Sequence, residues 1–142
     1  MKNLIAAALI VSSFSAFAGV EELLGTYKAK DRDGTAVITR TLVQDRTLFE
    51  PAVYEYQAEI VRNKHDIERT IILEIGADKN SLSGSERDDC DNPDCHAFDN
   101  FDVEVKKIGR GAQLTLTYDG HNTSDENDDV ETFEGKATFL KK

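Results

Sequence analysis

Phe101-Asp102-Val103-Glu104-Val105-Lys106 and Ala112-Gln113-Leu114-Thr115-Leu116-Thr117-Tyr118, joined through Gly109-Arg110-Gly111, decide the fold. Apolar side chains occupy every second position in both runs, with polar or charged ones between them. Period two over five or more residues marks a strand with one buried face. Burial of one face marks antiparallel pairing, since parallel strands are usually covered on both faces.

The same period recurs upstream. In residues 53–61, Tyr54, Tyr56, Ala58 and Ile60 oppose Glu55, Gln57 and Glu59. In residues 67–75, Ile67, Ile71, Leu73 and Ile75 oppose Glu68, Thr70 and Glu74. Downstream, Phe133, Ala137 and Phe139 oppose Thr132, Glu134, Lys136 and Thr138. Residues 25–30 and 35–43 are rich in Thr and Val and flank Asp33-Gly34, a hairpin turn signal. Residues 80–85 form a weaker eighth strand. The only helical expectation is one turn near residues 20–24. Seven or eight antiparallel strands predict an all-β fold, a small up-and-down barrel or a two-sheet sandwich. Short local connections favour the barrel.

The N-terminus has a different character. Lys2 precedes an apolar run at residues 4–11, and Ala16-Phe17-Ala18 supplies the small-x-small pattern cut by a signal peptidase. Eight apolar residues are too few to span a bilayer, which needs about 20. Residues 1–18 are therefore read as a cleaved signal peptide and residues 19–142 as a single β domain. The expected location is periplasmic or secreted, with no membrane insertion after cleavage.

The whole chain carries a net charge of −10. Without residues 1–18, which hold Lys2 and no acid, 124 residues remain with 16 basic against 27 acidic side chains, a net of −11. Nucleic acid is disfavoured, because phosphate recognition needs a basic footprint. Anionic membrane surfaces are disfavoured for the same reason.

A meander sorts this charge. Alternate connections emerge at the same end, so residues 31–34, 63–66, 87–97 and 119–129 share one end, with a net of −9. Residues 44–51, 76–80 and 109–111 share the other, with a net of zero. Asp88, Asp89, Asp91, Asp94, Asp125, Glu126, Asp128 and Asp129 are the candidate binding carboxylates. They suit a cationic protein or peptide, or a divalent cation such as calcium, which takes six to eight oxygen ligands. Asp31-Arg32-Asp33-Gly34 is a fragment of a calcium-loop pattern without its remaining ligands. His65, His96 and His121 fall at the same end, with no spacing diagnostic of metal. A solvated acidic surface is the competing reading of all these charges.

Cys90-Asp91-Asn92-Pro93-Asp94-Cys95 is the most specific local feature. Asn-Pro-Asp is turn chemistry that folds the two thiols back on each other. In an oxidising compartment a Cys90–Cys95 disulfide is expected. It closes a six-residue loop, for about 2 kcal/mol of chain entropy, and fixes loop shape. A zinc site would need a second ligand pair that is missing. Asn122-Thr123-Ser124 matches the glycosylation sequon, but the short signal peptide is bacterial in type and no sugar is expected.

Tyr54, Tyr56, Ile71, Phe101, Leu116 and Phe133 would face the barrel interior. They either fill it or line a cavity for a small apolar ligand. No nucleophile elbow, zinc-protease helix or phosphate loop occurs, so the chain is read as non-catalytic.

Two short segments resemble known families. Leu24-Gly25-Thr26-Tyr27-Lys28 resembles the G-x-W/Y opening of lipocalin and fatty-acid-binding barrels, with Tyr27 in place of the usual Trp, which implies a lipocalin-like architecture. Ser83-Gly84-Ser85-Glu86-Arg87 resembles the S-G-x-R-Y loop of periplasmic lysozyme inhibitors, with Asp88 where the aromatic stands. That resemblance implies an inhibitor of a cationic enzyme such as lysozyme.

The cysteine reading is checked by intact-mass analysis without reductant. The exported protein should begin at Gly19, weigh two hydrogens less than its reduced form and resist alkylation. Two thiols that alkylate readily would contradict the disulfide.

Overall fold

The computed structural model describes residues 19–87, 100–123 and 130–142. Eight antiparallel strands close into one up-and-down barrel. In chain order they are β1 (Gly25–Ala29), β2 (Thr35–Gln44), β3 (Val53–Arg62), β4 (Ile67–Ile75), β5 (Ser81–Arg87), β6 (Asn100–Ile108), β7 (Gly111–Thr123) and β8 (Val130–Lys141). The barrel is realised and the sandwich is not. The weak eighth strand exists as β5, so the connections alternate between the two ends as expected.

The quoted hairpin shows why these residues choose this fold. Phe101 pairs with Tyr118, Val103 with Leu116 and Val105 with Leu114. The apolar positions of both strands thus share one face, and a one-residue slip would expose them all. Each strand adds its own inward set, including Tyr27, Ile38, Ile60, Leu73, Leu82 and Phe139, to one continuous core. Gly135 lies opposite Tyr118, where a Cβ would collide with the phenol ring. The glycine lets that ring lie flat across β8.

Closure rests on the shortest strand. β1 pairs with β2 from Gly25↔Ile38 to Lys28↔Thr35, and with β8 through Tyr27↔Lys141, Lys28↔Leu140 and Ala29↔Phe139. Just before β1, residues 19–21 open a helical turn that backbone bonds from Leu23 N to the Val20 carbonyl and from Leu24 N to the Glu21 carbonyl complete, where the sequence suggested one at residues 20–24. Its Val20 and Leu23 are fully buried. The turn closes the end that carries the β2–β3, β4–β5 and β6–β7 connections. Glu21 pairs with Arg40 and Glu22 with Lys107, and Lys141 Nζ donates to the Glu22 carbonyl at 2.6 Å.

Tyr27 joins this plug to the wall. Its hydroxyl donates to the Leu23 carbonyl at 2.7 Å, and burial pushes its pKa up to about 12. Tyr27→Phe should cost about 1 kcal/mol, because a buried carbonyl loses its donor. The neutral phenol is favoured in the fold, so its contribution is complete below the ordinary pKa of 10.0 and is lost as pH rises toward about 12. An alkaline titration followed by ultraviolet absorbance should show one tyrosine ionising late, together with unfolding, and Tyr27→Phe should remove that step. A titration curve that Tyr27→Phe leaves unchanged would contradict this.

Candidate functional site

The opposite end carries the β1–β2, β3–β4, β5–β6 and β7–β8 connections. Its anchor is a buried cation. Arg62 occupies an inward position of β3 and is only 3% exposed. Its guanidinium donates to both Asp31 carboxylate oxygens, at 3.3 and 2.8 Å, and to the Asp33 carbonyl at 2.9 Å. It also lies over the Phe139 ring, 5.9 Å from the centroid. Burial alone would depress the Arg62 pKa, but the bonds to Asp31 outweigh it and the net shift is upward. The hydrogen bond from Arg62 holds the Asp31 carboxyl below the usual aspartate range.

Asp33 links two connections. Its carboxylate accepts the backbone N–H of Asn63 at 3.1 Å and of Lys64 at 2.9 Å. Gly34, at φ +122°, makes room for the Val61 carbonyl and the Arg62 backbone. The hairpin signal at Asp33-Gly34 is thus realised. The two carboxylates of the supposed calcium-loop fragment instead serve Arg62 and the β3–β4 turn.

That turn is a short 3-10 segment, Lys64–Asp66, folded over the barrel mouth. His65 sits in the left-handed region at φ 66°. Its ring packs 5.0 Å from that of Phe133 and 6.1 Å from that of Tyr118. Arg69 lies 5.2 Å from the Phe101 ring centroid and 3.9 Å from Glu86 Oε1. Both barrel ends are therefore covered, one by the N-terminal turn and one by His65 and its neighbours.

Of the inward residues, Tyr56, Ile71, Phe101 and Leu116 are buried in the common core, with Tyr54 half-buried against it. Phe133 is half-buried beneath His65. Tyr54 shares the inward-facing side of β3 but lies where that strand extends past β4. The Tyr56 hydroxyl is buried without a hydrogen-bond partner among the described residues.

The eight candidate carboxylates and both cysteines lie in residues 88–99 and 124–129, outside the described residues, as does His96. What the barrel fixes is where those segments attach. Arg87 pairs with Asn100, and Asn100 pairs with Asp119, whose carboxylate accepts from Asn100 Nδ2 at 2.9 Å. The β5–β6 and β7–β8 connections therefore leave the same end. β7 runs on to Thr123, so Asp119 and His121 belong to a strand and the β7–β8 connection is shorter than the sequence suggested. Among the described residues no three His, Cys, Asp or Glu side chains converge to hold a metal.

Ser83-Gly84-Ser85-Glu86-Arg87 is strand β5, where the resemblance implied a loop. Ser85 Oγ and Arg87 Nη2 both donate to Asp102 Oδ1, at 2.7 and 2.9 Å, and hold that carboxyl below its usual range, Ser85 first. An open groove of about 700 Å³ lies outside the barrel here, lined by Ile72, Glu74, Ser83, Ser85, Asp102 and Glu104 among others. Sequence reading missed it. The one signal was the run of small residues that made β5 look weak.

No family model, curated protein or solved structure matches this chain.

The Arg62 anchor is tested through Asp31. The carboxyl's pKa is lowered in the fold, so its contribution is present above the ordinary value of 3.8 and is lost as pH falls through the lower folded value. Asp31→Asn should lower the neutral-pH melting temperature by a few degrees, because a buried guanidinium loses the nearer of its two carboxylates and keeps only Asp33 Oδ2, at 3.8 Å. The variant should also lose part of the acid-induced drop in stability. Thermal melts from neutral to acid pH check both, and an unchanged melting curve would contradict the role.

Proposed function

We propose that the protein is exported, loses residues 1–18, and acts as a non-catalytic binding module that presents an acidic loop end to a cationic protein or peptide. One observation carries this reading: the two most acidic connections leave the same barrel end. Asp88, Asp89, Asp91 and Asp94 attach between β5 and β6, and Asp125, Glu126, Asp128 and Asp129 attach between β7 and β8. Gathered like charges repel one another, and a cationic partner relieves that repulsion while speeding encounter. A Cys90–Cys95 disulfide would stiffen the first segment. Calcium is the second ligand class these carboxylates suit. Carriage of an apolar ligand has less support, because four of the six inward residues are buried in a continuous core and the other two are half-buried.

Lysozyme and a lysine homopolymer are suitable cationic probes. Binding should be measurable at low salt and should weaken steeply as the Debye length shrinks from about 30 Å toward about 8 Å. Neutralising either acidic segment, for example Asp125→Asn with Glu126→Gln, Asp128→Asn and Asp129→Asn, should weaken binding about tenfold without lowering the melting temperature. Calcium should raise the melting temperature more than sodium chloride of equal ionic strength. Salt-independent binding, or full binding by the neutralised variants, would contradict the proposal.

A further inference from the structure

The β2–β3 hairpin outgrows its barrel. β1 covers β2 only from Thr35 to Ile38, and β4 covers β3 only from Tyr56 to Arg62. Past Ile38 only β3 runs beside β2, and from Thr41↔Glu55 to Gln44↔Val53, with a bulge at Val43, the two strands pair with no other strand among the described residues. The result is a two-stranded arm at the end opposite the acidic connections. Leu42, Val43 and Val53 are exposed along it, and Leu48 and Phe49 at its tip are 96% and 94% exposed.

The tip is held in shape. Thr47 N donates to the Glu50 carbonyl at 3.0 Å, and Thr47 Oγ1 accepts from Glu50 N at 3.0 Å and Phe49 N at 3.4 Å. Gln44 Nε2 donates to Glu50 Oε2 at 2.7 Å. Two large apolar side chains are thus presented to solvent by a built turn.

The arm also has an open edge. Ala29 N donates to the Gly34 carbonyl, so even-numbered residues of β2 turn their backbone groups toward β1. Past Ile38 that side has no strand among the described residues, and the N–H and C=O of Arg40 and Leu42 face it. An uncovered strand edge is a template for another strand.

Charge selects the occupant. The chain is −10 overall, yet residues 39–44 contain no carboxylate, and Arg40 is paired with Glu21. A second copy that docks here keeps the two acidic ends as far apart as the fold allows. An antiparallel strand can pair with itself about a two-fold axis. With Thr41 on that axis, Arg40 lies opposite Leu42 of the other copy and like charges do not meet. We propose that the protein forms a two-fold dimer by antiparallel pairing of the β2 edges at residues 39–44, with Leu48 and Phe49 packing across the seam. The dimer goes beyond the binding proposal and does not depend on it. The contact is small, so it dissociates at micromolar concentrations.

Sedimentation equilibrium of the purified protein, without any cationic partner, tests this. A reversible monomer–dimer equilibrium is expected, and Leu42→Lys and Phe49→Asp should each weaken it at least about tenfold with no loss of melting temperature. Thr41→Cys should give a covalent dimer under air, and Thr26→Cys on the outer face of β1 should not. A monomer at high micromolar concentration would overturn the proposal. So would a dimer that survives both substitutions, or a Phe49-dependent binding to neutral phosphatidylcholine vesicles by a protein that never self-associates.

Discussion

Barrel closure by a five-residue strand governs everything else in this molecule. β1 is held to β8 by three register pairs, which remove the last free edges of the sheet at mid-barrel. The up-and-down order that closure completes sends alternate connections to the same end, and that parity gathers the acidic connections together. It also limits how far neighbouring strands can follow β2 and β3, and so leaves the hairpin arm uncovered. The helical turn just before β1 enters the barrel with Val20 and Leu23, and Tyr27 ties that turn to the wall.

The two ends use different chemistry for the same task. At one end the plug is apolar and is fastened from outside by Arg40, Lys107 and Lys141. At the other a buried guanidinium is fastened by Asp31, and Asp33 binds the turn that carries His65 across the mouth. A buried arginine that kept its charge without Asp31 would be costly, so the β1–β2 and β3–β4 connections are tied to each other. The β5–β6 and β7–β8 segments carry the other carboxylates of that end.

What the sequence made legible follows from how completely each strand buries one face. β6 and β7 could be read directly because Phe101, Val103, Val105, Leu114, Leu116 and Tyr118 place a large apolar side chain at every second position. β5 was nearly invisible, since its inward set includes Gly84 and Glu86 and its outward hydroxyls border a groove. Arg62 sits at an inward strand position where period two expects an apolar residue, and its partner is 31 residues away, so no local pattern could reveal the pair. Leu42, Val43, Leu48 and Phe49 look like ordinary core candidates. Their exposure results from β1 and β4 stopping short, which composition does not record. Asp33-Gly34 announced a hairpin, but not the capture of a second turn by the Asp33 carboxylate.

Segregation of charge to one barrel end is the claim from which the functional reading grows. Its most direct measurement is paramagnetic broadening of amide resonances by a cationic nitroxide, referenced to a neutral nitroxide of the same size. Excess broadening should concentrate in residues 85–102 and 119–134, and spare the turns at residues 76–80 and 109–111. Broadening spread evenly over both ends, or equal for the two probes, would contradict it.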